Sequence, residues 1–247
     1  MKRILLLSFI FMLGLSCQSK INRDTNKDAD TTSTTQSIRG IEDFNEIEIS
    51  GAIDVHLVQG NQEGVNITAS TPELASKVKT KVVGGVLKIY TDDINFNWNN
   101  NTVIKAEVTY THLDKVDASG ACSIVGKNIN TPNLIIGLTG ASNFEGSVQV
   151  DNLDINLSGA CKIKLSGNAT HTNIAASGAC IMKAYRLKTN FCKVDASGAS
   201  NIYITVAKEI TGEASGGSNV YYKGEGVAKD IDASGGANFA KSSEDEE

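Results

Sequence analysis

Ser158-Gly159-Ala160-Cys161-Lys162-Ile163-Lys164-Leu165 returns 19 residues later as Ser177-Gly178-Ala179-Cys180-Ile181-Met182-Lys183-Ala184. The Ser/Thr-Gly-Ala/Gly phrase at their head stands at Gly120, Gly140, Gly159, Gly178, Gly198, Gly216 and Gly235, with successive spacings of 20, 19, 19, 20, 18 and 19 residues. A period this regular over more than half the chain is the signature of a solenoid. One more copy, centred on Gly51, lies 69 residues before Gly120, which implies a cap or a large insertion at the start of the array.

Aligned on the glycine, the columns tell inside from outside, because strand side chains alternate between faces. Four residues after it stand Val55, Ile124, Phe144, Ile163, Met182, Ile202, Val220 and Phe239, all apolar. Two and four before it the residues are again apolar or small, from Ile47 and Ile49 to Ile231 and Ala233. Three before it they are mostly polar, which places that column outward. One strand thus enters each Ser-Gly-Ala corner and a second leaves it. This is the plan of an all-β, parallel β-helix with coils of about 19 residues, for which a right-handed turn is the commoner choice. Glycine at Gly51, Gly120, Gly140, Gly159, Gly178, Gly198, Gly216 and Gly235 is expected to permit a positive φ or a backbone approach that a Cβ would block. Seven coils make six steps of about 4.8 Å, a rod on the order of 29 Å long.

At the amino end Lys2 and Arg3 precede an apolar run from Ile4 to Leu13, too short to span a bilayer. Residues 1–16 read as a signal peptide. Gly14-Leu15-Ser16-Cys17 reads as a lipobox, with Cys17 taking the lipid, although Gly14 stands where leucine is usual. Residues 17–37 then form a flexible tether rich in Ser, Thr, Asn and Asp. From 38 to 111 short strands alternate with turn signals, and Thr71-Pro72-Glu73 opens one or two helical turns. This region is expected to hold an antiparallel β cap and the first coil, because a solenoid end should not leave bare strand edges. Residues 112–241 carry the repeats, and 242–247 form an acidic tail.

The chain has 23 basic and 28 acidic residues; without Lys2 and Arg3 the net charge falls from −5 to −7. With no basic stripe to neutralise phosphates, nucleic acid is excluded as a partner. After Cys17 come Cys122, Cys161, Cys180 and Cys192. The first three share the column two after the glycine with Ser142, Ser200, Ser218 and Ala237, so buried free thiols in a tight site are the plain reading. A Cys161–Cys180 disulfide suits the Cα spacing of adjacent coils, whereas parallel side chains hold their Cβ atoms farther apart than a disulfide prefers. No Cys-x-x-Cys pair or other pattern calls for zinc, and no motif calls for a cofactor.

The repeated Asp/Ala-Ser-Gly-Ala phrase, the opening Phe44-Asn45-Glu46-Ile47-Glu48-Ile49-Ser50-Gly51-Ala52-Ile53-Asp54-Val55 and the Gln59-Gly60 turn resemble the putative auto-transporter adhesin family with the head GIN domain. The resemblance covers residues 38–239. It implies a pectin-lyase-like β-helix, a location in the cell envelope of Bacteroidetes-type bacteria and a role in adhesion. It supplies no catalytic residues.

The residues also argue against catalysis. Polysaccharide lyases on β-helices need carboxylate-held calcium and a basic residue, but Asp117, Asp195 and Asp232 sit on non-adjacent coils and Arg186 lies in a strand connection. His56, His112 and His171 are scattered, and the period lacks the six-residue beat of hexapeptide acyltransferases. Two stretches suit ligand binding instead. Phe96 and Trp98 lie in an asparagine-rich stretch, where aromatic faces and amides fit carbohydrate or, alternatively, fold back over the core end. Tyr203 and Tyr221, five after the glycine, should stack outward beside Lys164 and Lys183, either as a ligand grip or as ordinary strand tyrosines. Asn143, Asn201, Asn219 and Asn238 form a polar column beside them. The reading overall is a non-enzymatic, exported lipoprotein, anchored by lipid in the cell envelope at the outer membrane, that presents its β-helix to a surface glycan or protein. A structural envelope component that binds protein partners is the alternative, and a polysaccharide-active enzyme the weaker one.

Overall fold

A computed structural model of the chain describes residues 34–39, 41–91 and 102–243. The signal peptide, Cys17, most of the tether, Phe96, Trp98 and the end of the acidic tail lie outside the described residues.

The strands in chain order are β1 (Thr34–Arg39), β2 (Glu46–Gly51), β3 (Asp54–Gln59) and β4 (Gly64–Ala69), followed by helix α1 (Pro72–Lys77). Next come β5 (Val78–Val83), β6 (Val86–Thr91), β7 (Ile104–Tyr110), β8 (Lys115–Gly120), β9 (Ser123–Asn130) and β10 (Asn133–Gly140). Then follow β11 (Asn143–Gly159), β12 (Lys162–Gly178), β13 (Ile181–Ala196), β14 (Asn201–Ala214), β15 (Asn219–Lys223), β16 (Val227–Ala233) and β17 (Asn238–Lys241). They build a parallel β-solenoid of about 7 turns with coils of about 19 residues. Strands entering the corners stack as β8, β10, β11, β12, β13, β14 and β16; strands leaving them stack as β9, β11, β12, β13, β14, β15 and β17.

The 69-residue gap before Gly120 is an insertion between two coils in contact. Ser50 and Gly51 pair in register with Ser119 and Gly120, so the β2–β3 coil lies directly on the β8–β9 coil. Between them in sequence the chain runs outward and returns, adding β6 on the free side of β2 and β7 on the free side of β3, both parallel. The turn after β3 therefore closes no hairpin. β7 fills the place beside β3, and β4 pairs antiparallel with β7 instead. The β5–β6 hairpin turns at Gly84-Gly85 as the sequence suggests. Thr71 caps α1, its hydroxyl accepting the Leu74 N–H at 3.1 Å. β1 begins at Thr34, inside the stretch read as tether, and its antiparallel pairing covers the outer edge of β4.

The apolar columns are the core. Ile47, Ile49, Val55, Ile124, Ile136, Phe144, Ile163, Met182, Val194, Ile202 and Val220 are all buried. The last coil is the exception: Ala233 is exposed and Ile231 and Phe239 are half-buried, because among the described residues no further coil lies on β16 and β17. In the column two after the glycine, Cys122, Cys161 and Cys180 are buried, free thiols. Each thiol donates to the carbonyl of the residue before the glycine, at 3.3, 3.2 and 3.2 Å. Ser142 and Ser218 donate to the equivalent Thr139 and Ser215 carbonyls at 3.0 and 2.8 Å. From Cys122 to Ser218 the column thus takes a small side chain with one hydrogen to give, which explains why cysteine and serine share it; the end coils place Ile53 and Ala237 there. Cys192, on the opposite side of the coil, sits among apolar groups, and burial pushes its thiol up to about 12.

At the corners the coils nearly touch. The N–H of Ala160 donates to the Gly140 carbonyl and that of Ala179 to the Gly159 carbonyl, both at 2.7 Å. A Cβ on Gly159 would stand 2.6 Å from the Gly140 oxygen, and φ there is +98°. Both expected reasons for glycine hold at once.

Three outcomes follow for stability. Gly159→Val, which meets backbone in a left-handed conformation, should cost at least about 3 kcal/mol in denaturant melts. Gly84→Asn should change little, since a Cβ at Gly84 meets nothing within 4 Å and φ is +61°. Cys180→Ser, which keeps the donated bond, should stay within about 1 kcal/mol of wild type, whereas Cys180→Val should lose more. The raised Cys192 thiol works against the fold in alkali: the unfolded thiol ionises near 9.0 while the folded one resists to about 12. Stability should fall across that interval, and the fall should be shallower in Cys192→Ala, as pH-dependent melts would read.

Candidate functional site: an aromatic and cationic face

The strands that leave the corners put alternate residues outward, and because they stack in register these residues form straight rows. Lys164, Lys183, Tyr203 and Tyr221 occupy one row, paired in that order from β12 to β15. The Tyr203 and Tyr221 rings stack with centroids 5.5 Å apart and planes 20° off parallel. Sequence reasoning places these two correctly. It misses their third partner: Tyr185 meets Tyr203 edge-on, centroids again 5.5 Å apart and planes 74° apart, and Lys223 Nζ lies 4.2 Å from the Tyr185 ring centre.

Tyr185 reaches the row because β13 bulges against β14. Register holds through Ala184↔Ile204 and resumes only at Lys188↔Thr205, so Tyr185, Arg186 and Leu187 have no partners on β14. Leu187 turns inward and is fully buried; Tyr185 is half-buried and Arg186 exposed. The signal for this was present as a coil of 20 residues followed by one of 18. The Thr205 hydroxyl donates to the Tyr185 carbonyl at 2.8 Å and fixes the bulge.

The asparagine column borders the tyrosines. Asn219 donates its side-chain amide to Asn201 at 2.9 Å, as a ladder would, whereas Asn238 turns to the Tyr221 hydroxyl at 3.3 Å. Asn143 has lysine and serine as in-register neighbours and continues no ladder. Unforeseen amide contacts occur elsewhere on the surface, Asn152 to Asn133 at 2.8 Å and Asn168 to Gln149 at 3.0 Å. Toward the amino end of the same face Lys164 pairs with Glu145 at 3.2 Å. Lys162, Lys183 and Arg186 are exposed.

The strands that enter the corners carry a different feature, an open trough of about 530 Å³. Its floor is the column three before the glycine, with Asp117, Gly137, Asn156, Ala175 and Asp195, beside a row of hydroxyls from Ser119 to Ser197. Several of those hydroxyls are engaged: Ser119, Thr139 and Ser197 donate to carbonyls of the preceding coil at 3.4, 3.3 and 3.4 Å. Asp117 leans over Gly137 and pairs with Lys115 at 2.7 Å, a hydrogen bond that raises the Lys115 ammonium above its usual value. Asp195 lies four coil steps away, on the order of 19 Å. The two carboxylates therefore do not converge on one ion or one reacting atom.

The remaining candidates stand apart. His112 pairs with Asp114 at 2.7 Å, His171 stacks on Phe191 with centroids 5.2 Å apart, and His56 lies exposed on β3. Among the described residues, no group of three His, Cys, Asp or Glu side chains could hold a metal ion. No helix among them is long and apolar enough to cross a membrane.

The profile of one protein family, described as "Putative auto-transporter adhesin, head GIN domain", matches residues 43–226. Among solved structures, a putative adhesin from Bacteroides fragilis shares the fold over 85% of this chain and 96% of its own, with a TM-score of 0.77 and 19% identity. A putative lipid binding protein from Parabacteroides distasonis aligns over 84% and 96% with a TM-score of 0.61 and 21% identity. A putative adhesin from Parabacteroides merdae aligns over the same shares with a TM-score of 0.58 and 19% identity. At such identities the likeness is one of fold. No curated protein matches the chain.

If the rows act as one surface, the bulge matters to it. Thr205→Val, which removes the bond to the Tyr185 carbonyl, should leave the melting temperature within a few degrees and loosen Tyr185, read as reduced protection of its backbone amide in hydrogen exchange.

Proposed function

Since the chain belongs to the putative auto-transporter adhesin family with the head GIN domain, we propose that it is an exported, lipid-anchored envelope protein that adheres to a surface glycan or protein through the outer face of its solenoid. The observation that carries this reading is the row Tyr185, Tyr203 and Tyr221, held half-exposed on a parallel sheet beside an amide ladder. Aromatic rings with an apolar face and a polar tip are the side chains best suited to gripping a partner from a flat surface. The sheet fixes their positions before any partner arrives, so little side-chain freedom is lost on contact.

Cys17 carries the lipid in this reading, and Phe96 and Trp98, between β6 and β7 in sequence, are further candidate ligand contacts. The anchor holds the protein at the outer membrane, and the stretch from Cys17 to the start of β1 at Thr34 gives the solenoid reach. Binding is preferred to catalysis because the carboxylates of the trough lie on distant coils and the histidines on separate elements.

A second reading has one observation in its favour. The last coil offers an open edge with Val227 59% exposed, and a partner protein docked there would make the chain a scaffold of the envelope. Stoichiometric co-purification of one envelope protein, lost in Val227→Lys and unchanged in Tyr203→Ala, would favour the scaffold.

The adhesin reading predicts that beads coated with the full-length chain adhere to a panel of immobilised polysaccharides and cell surfaces. Adhesion should fall several-fold in Tyr203→Ala or Trp98→Ala, and equal adhesion by both variants would refute it. The anchor predicts that labelled palmitate enters the wild-type chain and not Cys17→Ser.

A further inference from the structure

We infer that the tyrosine row is a binding site for an anionic polysaccharide, one whose sugars carry carboxylate or sulfate groups. The inference rests on the adhesin reading and narrows it to one ligand chemistry.

The argument is one of charge against background. The chain as a whole is acidic, with a net charge of −5. The outward face of the segments of β12 to β15 that leave the corners departs from that balance. In the grid around the rings stand Lys162, Lys164, Lys183, Arg186 and Lys223, while the acidic residues at its margins, among the described residues, are Glu145 and Glu225. Glu145 is paired to Lys164, which leaves Lys183 in register beside Tyr203 and Arg186 one residue beyond Tyr185 in the bulge. Neither Lys183 nor Arg186 has a hydrogen bond or ion pair among the described residues. Three lysines elsewhere are held by acids: Lys88 by Glu48, Lys115 by Asp117 and Lys229 by Glu209; what sets Lys183 and Arg186 apart is their place beside the rings.

Cations left without partners beside a row of aromatic rings are suited to an alternating ligand. The rings take the C–H faces of sugars, and the ammonium and guanidinium groups take acidic substituents. Exposed Ile181, between Lys162 and Asn201 in the neighbouring row, adds apolar surface, and the Asn201–Asn219 pair offers amides to hydroxyls. A neutral glycan would leave Lys183 and Arg186 unused. An acidic one gains attraction that steers it to this face and away from the carboxylates of the trough.

The test is binding of the purified full-length chain to polygalacturonate, dextran sulfate and unsubstituted dextran at low and at physiological salt. Polygalacturonate or dextran sulfate should bind and dextran should not, and whichever of the two binds more tightly identifies the acidic group. Binding should weaken about tenfold in Tyr203→Ala and more than about threefold in Lys183→Glu. It should be unchanged in Lys193→Glu, whose side chain lies on the strands entering the corners. It should also weaken as salt rises. Thermal melts of each variant separate lost binding from lost folding. Dextran binding as well as the acidic polymers would overturn the inference, and so would polyanion binding that ignores Tyr203→Ala or falls equally in Lys193→Glu. If bead adhesion persists while all three polymers fail to bind, this inference alone falls. If adhesion is absent too, the adhesin reading falls with it.

Discussion

Everything in this molecule depends on how closely one coil can approach the next at the Ser-Gly-Ala corner. There the N–H that follows each glycine donates to the carbonyl of the glycine one coil back, at 2.7 or 2.8 Å from Ala121 to Gly236. The approach leaves no room for a Cβ and demands a positive φ, so the glycine is fixed by two independent constraints. It also sets its neighbours. From Gly120 to Gly216 the residue two later is small and satisfies a carbonyl of the corner, which a thiol and a hydroxyl both do; the end coils depart from this with Ile53 and Ala237. Because that bond needs only one hydrogen from a short side chain, cysteine is retained here as a structural donor, its thiol raised by burial at Cys122 and Cys161 and so kept in the neutral form.

A corner repeated in register carries every other column with it. Once the glycines align, the fifth residue after each must also align, and side chains of one type then accumulate in rows on the outer face. The tyrosine row is a consequence of the corner as much as of the tyrosines. Its one irregular member proves the rule: Tyr185 enters by a bulge that the following, shorter coil absorbs, so the register is restored by Cys192↔Ile210 and the corner at Gly198 is undisturbed. The two ends of the stack are treated differently. At the amino end β6 and β7 lie parallel on the first coil, and β5, β4 and β1 close over them with antiparallel pairs. At the other end β16 carries charged residues and a backbone reversal at Asp230, with φ of +46°, devices that discourage indiscriminate pairing of an open edge.

How much of this the sequence discloses follows from the range of the interactions. The inward columns and the corner glycines are legible because each coil repeats the same local problem. So is the α1 cap, where Thr71 and Pro72 act within one turn. The order of strands at the amino end is not. Ser50-Gly51-Ala52 announces a coil, but nothing local says that β7 will lie beside β3 and leave β4 to pair beyond it; that choice is made by which edges remain open once β8 has taken its place. At the candidate site the aligned tyrosines are legible by position. Tyr185 is not, because a glycine-anchored alignment assigns residues to columns and a bulge removes three of them from the count. Phe96, Trp98 and Cys17 lie outside the described residues and rest on the sequence alone.

A surface made this way has properties that a loop-built site lacks. Loops hold their ligands by ordering on contact, and the entropy of that ordering subtracts from affinity. Here the rings are spaced by backbone hydrogen bonds running the length of the solenoid, so their separation is close to the strand spacing and can hardly change. Such a row cannot adapt to a compact ligand, but it offers successive, evenly spaced contacts to a polymer laid along the stack. Each contact on an exposed face is weak, about 0.2 to 1 kcal/mol for an exposed ion pair. Several in series on one polymer act together, since after the first has formed the rest are held at high effective concentration. Weak individual contacts, fixed spacing and repetition favour a long, regular ligand over a small one, and in the proposed reading Lys183 and Arg186 set its charge.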